Sequence, residues 1–165
     1  ASWDASGVGG IVNVRTKRTE YLLGTFFGLT ATLNPKKDIL VFSKREGSAL
    51  SLNSLTRSTN EELALSPSAL PEKCVWSKTK NTLLYCAVSQ ELLGQGLPDS
   101  WYRGSVSFTD NIWKLDTGTG ASTLENPVSE KTAIDATKLF LDQRESYLFF
   151  TNRKDRTLWV FPLQP

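Results

Sequence analysis

The chain has 165 residues, 39% of them hydrophobic and 22% charged, so it can bury the core of one folded domain. Its formal net charge is +2 and its basic residues form no stripe, so nothing selects nucleic acid or an anionic membrane as a partner. No apolar run reaches the roughly 20 residues that span a bilayer. Methionine is absent, even at position 1, so we expect a processed product or a fragment whose localisation signals have been removed.

Histidine is also absent, which removes the commonest metal ligand and the usual general base. No glycine-rich phosphate loop, metal-ligand cluster or catalytic constellation stands out in the sequence. The sequence therefore predicts no metal, no cofactor and no catalytic residue.

The two cysteines, Cys74 and Cys86, lie on consecutive predicted strands. Free cysteine usually behaves as a small buried hydrophobic residue, so we expect both thiols to be reduced and buried. The alternative is a disulfide between diagonal neighbours, because hairpin register can bring two Cα atoms within roughly 4.4–6.8 Å.

Taken in order, the chain begins with a small, polar and Gly-rich stretch, 1–10, which predicts a loose entry. Ile11, Val12 and Val14 then predict a short strand, and a second predicted strand begins at Tyr21. From there on, β-rich runs alternate with polar turn clusters.

One pattern recurs three times along the chain. An apolar residue and a turn-former are followed by an apolar run, and a third strand comes after it. The turn-formers are Asn34, Ser77 and Asp142, and the apolar runs are ILVFS at 39–43, LLYCA at 83–87 and YLFFT at 147–151. Asn34 and Ser77 are 43 residues apart, whereas Ser77 and Asp142 are 65 apart. The surplus falls in residues 89–110, which we interpret as an insertion between a second and a third strand.

A repeat of this length with four short strands is typical of a β-propeller blade. Three features of the repeat resemble the TolB-like and WD-repeat classes of propeller. They are the turn-former, the LYCA-type second strand and the third strand with its IW pair. The resemblance covers roughly residues 11–163 and is closest to the TolB-like blades of bacterial envelope and secreted proteins. It implies an all-β chain of four-stranded antiparallel blades and an extracytoplasmic location.

The repeat divides the chain into two complete blades and two partial ones. They are a partial blade (11–28), a blade (29–70), a blade that carries the insertion (71–128) and a partial blade (133–163). Propellers close with about four to eight blades. We therefore expect a larger ring, whose remaining blades come from the same chain or from a second one.

The insertion holds the best-equipped candidate binding residues, Asp99, Trp101, Tyr102 and Arg103. Aromatic and arginine side chains dominate binding hot spots, so this set predicts contact with a protein or glycan ligand. In the resembled class, connections between second and third strands lie on the face around the mouth of the central channel. The alternative is that Trp101 and Tyr102 fold back and cover an exposed sheet edge.

In the resembled propellers the first strand of each blade is innermost. The resemblance therefore implies that three repeat-equivalent residues before the first strands, Thr30, Lys73 and Lys138, line the channel mouth, where two lysines would favour anions. The alternative for the lysines is a solvated position at a strand end. We also expect inter-blade packing from the repeat-equivalent tryptophans Trp76, Trp113 and Trp159.

Asp99, Asp110 and Asp116 include candidates for the carboxylate pair of a glycoside hydrolase. Structural use in turns is the favoured interpretation of Asp110 and Asp116, which flank a strand. The leading functional hypothesis is therefore a non-catalytic propeller domain with a protein- or glycan-binding face. The alternatives are part of a hydrolase, either a glycan-active propeller or the gating propeller of a serine peptidase, and a structural spacer.

Overall fold

The computed structural model describes residues 2–91, 93–126 and 133–163. Within these ranges the chain is all-β, as predicted, and its strands form four antiparallel sheets. Among the same residues, no helix is long and apolar enough to cross a membrane.

The four sheets follow one another along the chain, with two, four, four and three strands, and consecutive strands are neighbours in each sheet. The first sheet contains β1 (Ser6–Val12) and β2 (Thr19–Phe27). The second contains β3 (Thr30–Leu33), β4 (Ile39–Glu46), β5 (Ala49–Thr56) and β6 (Glu61–Leu65). The third contains β7 (Cys74–Trp76), β8 (Leu83–Ser89), β9 (Asp110–Asp116) and β10 (Ser122–Asn126). The fourth contains β11 (Ala136–Leu141), β12 (Tyr147–Asn152) and β13 (Leu158–Pro162).

Alternation along the second strand of each sheet explains how the sheets stack, since successive side chains of a strand point to opposite faces. In β4, Val41 packs into the core shared with the third sheet, whereas its neighbour Phe42 packs into the core shared with the first. In β8, Cys86 faces the second sheet and Tyr85 faces the fourth. Both four-stranded sheets are therefore buried on two faces, but the described residues form no closed ring.

The predicted repeat register is confirmed at its three turn-formers. The backbone N–H groups of Asn34, Ser77 and Asp142 donate to the carbonyls of Ile39, Leu83 and Tyr147, the first residues of β4, β8 and β12. The side chain of each turn-former also accepts a hydrogen bond from a backbone N–H of its own turn. Polar side chains of this kind stabilise a turn by hydrogen bonding to local backbone. For that reason the repeat could be recognised in the sequence from its turn residues.

The tryptophans pack between sheets, as predicted. Trp76 and Trp113 contribute to the core between the second and third sheets, and Trp159 packs against the core between the third and fourth.

The predicted loose entry is wrong for half of its length, because β1 begins at Ser6. The glycines that suggested flexibility instead allow close packing. A Cβ atom at Gly9 would stand 2.9 Å from the side chain of Leu23, which occupies that space. Composition alone could not show this contact, since it depends on the partner strand.

The prediction of reduced cysteines is also wrong. Cys74 and Cys86 form a disulfide, and the two residues lie directly opposite each other in the β7–β8 pairing rather than diagonally. Direct opposition on one sheet face brings the two side chains together, and a shift of one residue in register would have separated them. The bond lies within the apolar core between the second and third sheets.

Candidate functional site

The insertion joins β8 to β9 and lies at one end of the sheets. That end also carries the β4–β5 turn (47–48), the β12–β13 turn (153–157) and the segment 66–73, which links the second sheet to the third. Backbone hydrogen bonds hold the insertion to both sides: the Leu50 N–H donates to the Leu93 carbonyl, and the Asp110 N–H donates to the Ile134 carbonyl. We call this end of the described chain the insertion face.

The insertion has a small apolar core of its own. Trp101, in the short helix α1 (Asp99–Tyr102), packs with Leu93, Leu97 and Phe108 of the insertion and with Leu50 and Leu70 of the second sheet and its exit. The Trp101 and Phe108 rings stack with centroids 6.3 Å apart. A long loop with its own core presents its surface residues from a fixed position.

A buried group of three charges lies beneath this core. The Lys73 ammonium is 2.7 Å from Asp110 Oδ2 and 2.6 Å from Asp135 Oδ1, and all three side chains are almost fully buried. Lys73 also lies over the rings of Trp101 and Phe108, 5.2 and 4.8 Å from their centroids. We call Lys73, Asp110 and Asp135 the ionic anchor, because they connect the entry of the third sheet, the end of the insertion and the entry of the fourth sheet.

Asp135 is the most densely bonded member of the anchor. It accepts hydrogen bonds from the Trp101 indole N–H at 3.1 Å, the Ser107 hydroxyl at 3.2 Å and the Phe108 backbone N–H at 3.2 Å. Burial acts to raise the pKa of Asp135, but the Lys73 charge and these donors outweigh burial and hold that pKa below its ordinary value. Asp135 is therefore ionised in the folded chain at neutral pH.

Asp110 accepts fewer hydrogen bonds than Asp135. One oxygen accepts from the Ala136 N–H at 2.7 Å, while the other is buried without a hydrogen-bond partner among the described residues. Burial raises the pKa of Asp110 to about 6 although Lys73 opposes the shift. The pKa values of the two carboxyl groups are therefore shifted in opposite directions beside the same lysine: burial dominates for Asp110, whereas Lys73 and the further donors outweigh burial for Asp135.

The structure separates the four residues predicted in the insertion. Trp101 is 5% exposed and belongs to the loop core, as in the alternative in which it covers a sheet. Asp99 accepts from the Ser2 hydroxyl and the Trp3 N–H at 3.0 and 2.6 Å, and so holds the start of the chain. Tyr102 and Arg103 are exposed and free to contact a partner.

The three residues predicted at a channel mouth also have different surroundings. The Thr30 hydroxyl donates to Glu72, and Lys73 belongs to the buried anchor, so the solvated position considered for Lys73 is wrong. Lys138 is exposed inside β11, where the register shifts. Because of that shift, Thr137 rather than Lys138 pairs with the fifth residue of its second strand, as Thr30 does.

Two clefts flank the insertion on this face. One, of about 480 Å³, lies between the second and third sheets and has a mixed lining, in which Ser48, Ser89 and Glu91 alternate with apolar residues such as Leu50 and Leu93. The other, of about 230 Å³, lies towards the fourth sheet and is lined by residues that include Ser107, Arg153 and Lys154. The Arg153 guanidinium stacks 4.8 Å from the Trp101 ring centroid, and it donates to the Tyr102 carbonyl at 3.3 Å.

The remaining carboxylate predicted to be structural is confirmed in that role, since Asp116 accepts from the Gly118 and Thr119 N–H groups of its own turn. Sequence reasoning missed Asp135, although a charged residue within the apolar run AIDA at 133–136 was a usable signal. Among the described residues, no group of three or more His, Cys, Asp and Glu is placed to hold a metal ion.

Comparison with known proteins supports the fold. The sequence matches no protein-family model and no curated protein. Among solved structures, it is similar to the hydrazine synthase of Kuenenia stuttgartiensis, with a TM-score of 0.63, and to an oligogalacturonate lyase in complex with manganese, with a TM-score of 0.55. Each is 14% identical and is matched over 94% of this chain.

Both neighbours are proteins that contain β-propellers. At 14% identity the likeness shows the fold alone, and the chain spans only 46% and 41% of the length of these two neighbours. The chain therefore has a β-propeller-like, all-β fold of four-stranded antiparallel sheets.

Proposed function

We propose that this chain is part of a β-propeller whose insertion face binds a protein or glycan ligand without catalysing a reaction. The observation that supports the proposal is that the insertion has a buried part and an exposed part. Its buried residues anchor the loop rigidly, while Tyr102 and Arg103 remain exposed on the anchored surface. Aromatic and arginine side chains presented from a rigid loop are the usual hot spots of a binding surface.

The carboxylates argue against one of the two hydrolase alternatives, the glycan-active propeller. Asp110 and Asp135 are almost fully buried and bind the same lysine, so neither is a free carboxylate, although Asp135 borders the cleft of about 230 Å³. Asp99 and Asp116 are engaged by backbone N–H groups. A glycoside hydrolase needs two carboxyl groups that flank a bound sugar, and the carboxylates predicted from the sequence do not provide such a pair.

We further propose that the propeller is TolB-like and that the protein belongs to the bacterial envelope or is secreted. The repeat pattern supports the propeller class. The Cys74–Cys86 disulfide supports an extracytoplasmic location, because disulfides form and persist in oxidising compartments and are rare in the cytosol.

The test is binding of the purified chain to a glycan array and to extracellular protein fractions, followed by affinity measurement on any ligand found. The Tyr102→Ala/Arg103→Ala variant should bind about 30-fold more weakly or worse, as expected for loss of a hot spot. The matched control is Leu124→Ala/Arg144→Ala, which also removes an exposed apolar residue and an exposed arginine, from β10 and from the β11–β12 turn. Equal loss in both variants, or no loss in the first, would place the binding surface elsewhere.

A further inference from the structure

The end of the sheets opposite the insertion face is built from hairpin turns. Consecutive strands are antiparallel, so the connections between them lie alternately at the two ends. We call the end opposite the insertion face the turn face. Its six turns are β1–β2 (13–18), β3–β4 (34–38), β5–β6 (57–60), β7–β8 (77–82), β9–β10 (117–121) and β11–β12 (142–146).

The turn face is basic. Nine of the 19 lysine and arginine residues of the chain lie in its turns, together with three carboxylates. The cations are Arg15, Lys17, Arg18, Lys36, Lys37, Arg57, Lys78, Lys80 and Arg144. The connections at the insertion face are balanced by contrast, with five cations and five carboxylates among the described residues. Along the sequence the nine cations form no stripe, and only the alternation of the hairpins brings them to one end.

Most of these cations are not neutralised within the chain. Eight of the nine are exposed, and in the described part of the chain only Arg57 forms a salt bridge, with Glu20 of β2. The turn carboxylates Asp38, Asp142 and Glu145 instead accept hydrogen bonds from amide or hydroxyl groups. Three more carboxylates lie at the adjoining strand ends: Glu20, Glu61 and Asp116. The turn face keeps an excess of positive charge even when these are included.

Hydrogen bonds between neighbouring turns fix the cations in one array. The Asn34 amide donates to Asn81 Oδ1 at 2.9 Å, and the Lys78 ammonium donates to the Leu141 carbonyl at 2.8 Å. These contacts join the turns of the second, third and fourth sheets. Positive charge spread over several sheets matches an extended plane of negative charge rather than one small anion.

We propose that the turn face binds peripherally to the surface of a membrane rich in anionic phospholipid. Each lysine or arginine close to such a surface strengthens binding about fivefold. The Cys74–Cys86 disulfide favours an oxidising compartment, which argues against cytosolic nucleic acid as the polyanion. In this orientation the insertion face points away from the membrane, but the proposal does not depend on ligand binding there.

Cosedimentation with phospholipid vesicles is the primary test. We expect the wild-type chain to bind vesicles of phosphatidylcholine mixed with phosphatidylglycerol and not vesicles of phosphatidylcholine alone. Salt should weaken this binding, because it screens exposed charges. A chain that does not bind the mixed vesicles at low salt overturns the proposal.

Two double variants with the same net charge test the orientation. Lys36→Gln/Lys37→Gln removes two exposed cations from the turn face and should bind the mixed vesicles about 20-fold more weakly. Lys154→Gln/Arg156→Gln removes two exposed cations from the insertion face and should bind like the wild type. The pairs are matched in backbone as well, since Lys37 and Arg156 have φ angles of 63° and 64°. Equal loss in both variants would assign binding to net charge and overturn the role of the turn face. Circular dichroism confirms that each variant is folded.

Competition distinguishes a membrane from a soluble polyanion. Hyaluronate, an acidic polysaccharide, is added to the vesicle-bound chain at a charge concentration equal to that of phosphatidylglycerol. We expect the chain to remain on the vesicles, because the membrane presents its charges in one plane. Release by hyaluronate would overturn the membrane proposal and assign the turn face to acidic polysaccharide.

Discussion

Two buried regions on opposite sides of β8 hold the third sheet in place by different means. The core between the second and third sheets is apolar, with Val41, Leu84 and Leu115 sealed around the Cys74–Cys86 disulfide. The ionic anchor holds the insertion through one lysine and two carboxylates. An apolar core tolerates substitutions that keep its total side-chain volume and its hydrophobic pattern, whereas a buried charge is tolerated only beside a charge of opposite sign. The apolar region should therefore accept change more easily than the anchor.

The largest effect is expected from removal of the single cation of the anchor. Lys73→Met leaves Asp110 and Asp135 buried without their counter-charge, which should lower the free energy of unfolding by about 3–5 kcal/mol. Urea denaturation measures this loss. Lys138→Met, which removes an exposed lysine of β11, is the control and should change stability by less than about 0.5 kcal/mol.

Combining Lys73→Met with Asp110→Asn tests the cause of that loss. Because the second change removes one of the uncompensated charges, the double variant should be more stable than Lys73→Met alone. If instead the two losses simply add, the anchor does not act through paired charge.

In the apolar core, the disulfide should contribute about 3 kcal/mol to the free energy of unfolding, the value expected for a closed loop of this size. The bonded residues are separated by 12 positions. Thiol titration in denaturant should find no free thiol, and a reductant should shift the urea transition to lower concentration. Cys74→Ala/Cys86→Ala should show the lower stability and no response to reductant. Two titratable thiols in the untreated chain would contradict the bond.

The anchor should also make stability depend on pH, which an apolar core does not. The native Asp110 carboxyl has a pKa of about 6, above its ordinary 3.8, so between these values the folded chain holds a proton that the unfolded chain has released. The contribution of Asp110 is therefore largest at low pH and falls as pH rises from about 4 to about 6, by about 3 kcal/mol.

The measurement is the free energy of unfolding of the wild type minus that of Asp110→Asn at several pH values. This difference should decrease as the pH rises through the window. Asp135, whose pKa is lowered, acts with the opposite sign and at lower pH, where its stabilising contribution is lost as the pH falls. A difference that stays constant with pH would show that Asp110 titrates normally in the folded chain.

The smallest expected effect comes from one hydrogen bond at the junction of the anchor and the loop core. Trp101→Phe removes the indole donor to the Asp135 carboxylate and should lower the free energy of unfolding by about 2 kcal/mol. Trp76→Phe is a matched control, because the buried Trp76 indole N–H has no hydrogen-bond partner among the described residues. An equal loss in the two variants would assign the Trp101 effect to packing alone.

The comparison of the two regions also shows why sequence reasoning succeeded in one and failed in the other. The apolar run ILVFS at 39–43 predicts a strand, and the turn-formers predict where each hairpin begins. The anchor joins Lys73 to residues 37 and 62 positions away. Their meeting depends on how the sheets stack, and no local pattern records it. Sequence reasoning accordingly left Lys73 between a channel mouth and a solvated strand end, and Trp101 between a ligand contact and the cover of a sheet edge.

The sequence by itself determined most of the strands, the repeat, the four-stranded sheets and the position of the insertion, because hydrophobic period and turn chemistry are local properties. Only the tertiary structure decided the register that joins Cys74 to Cys86, the burial of Trp101 and the charge partners of Lys73. A shift of one residue in pairing moves every side chain of a strand to the other face, so these contacts depend on the relative placement of whole strands.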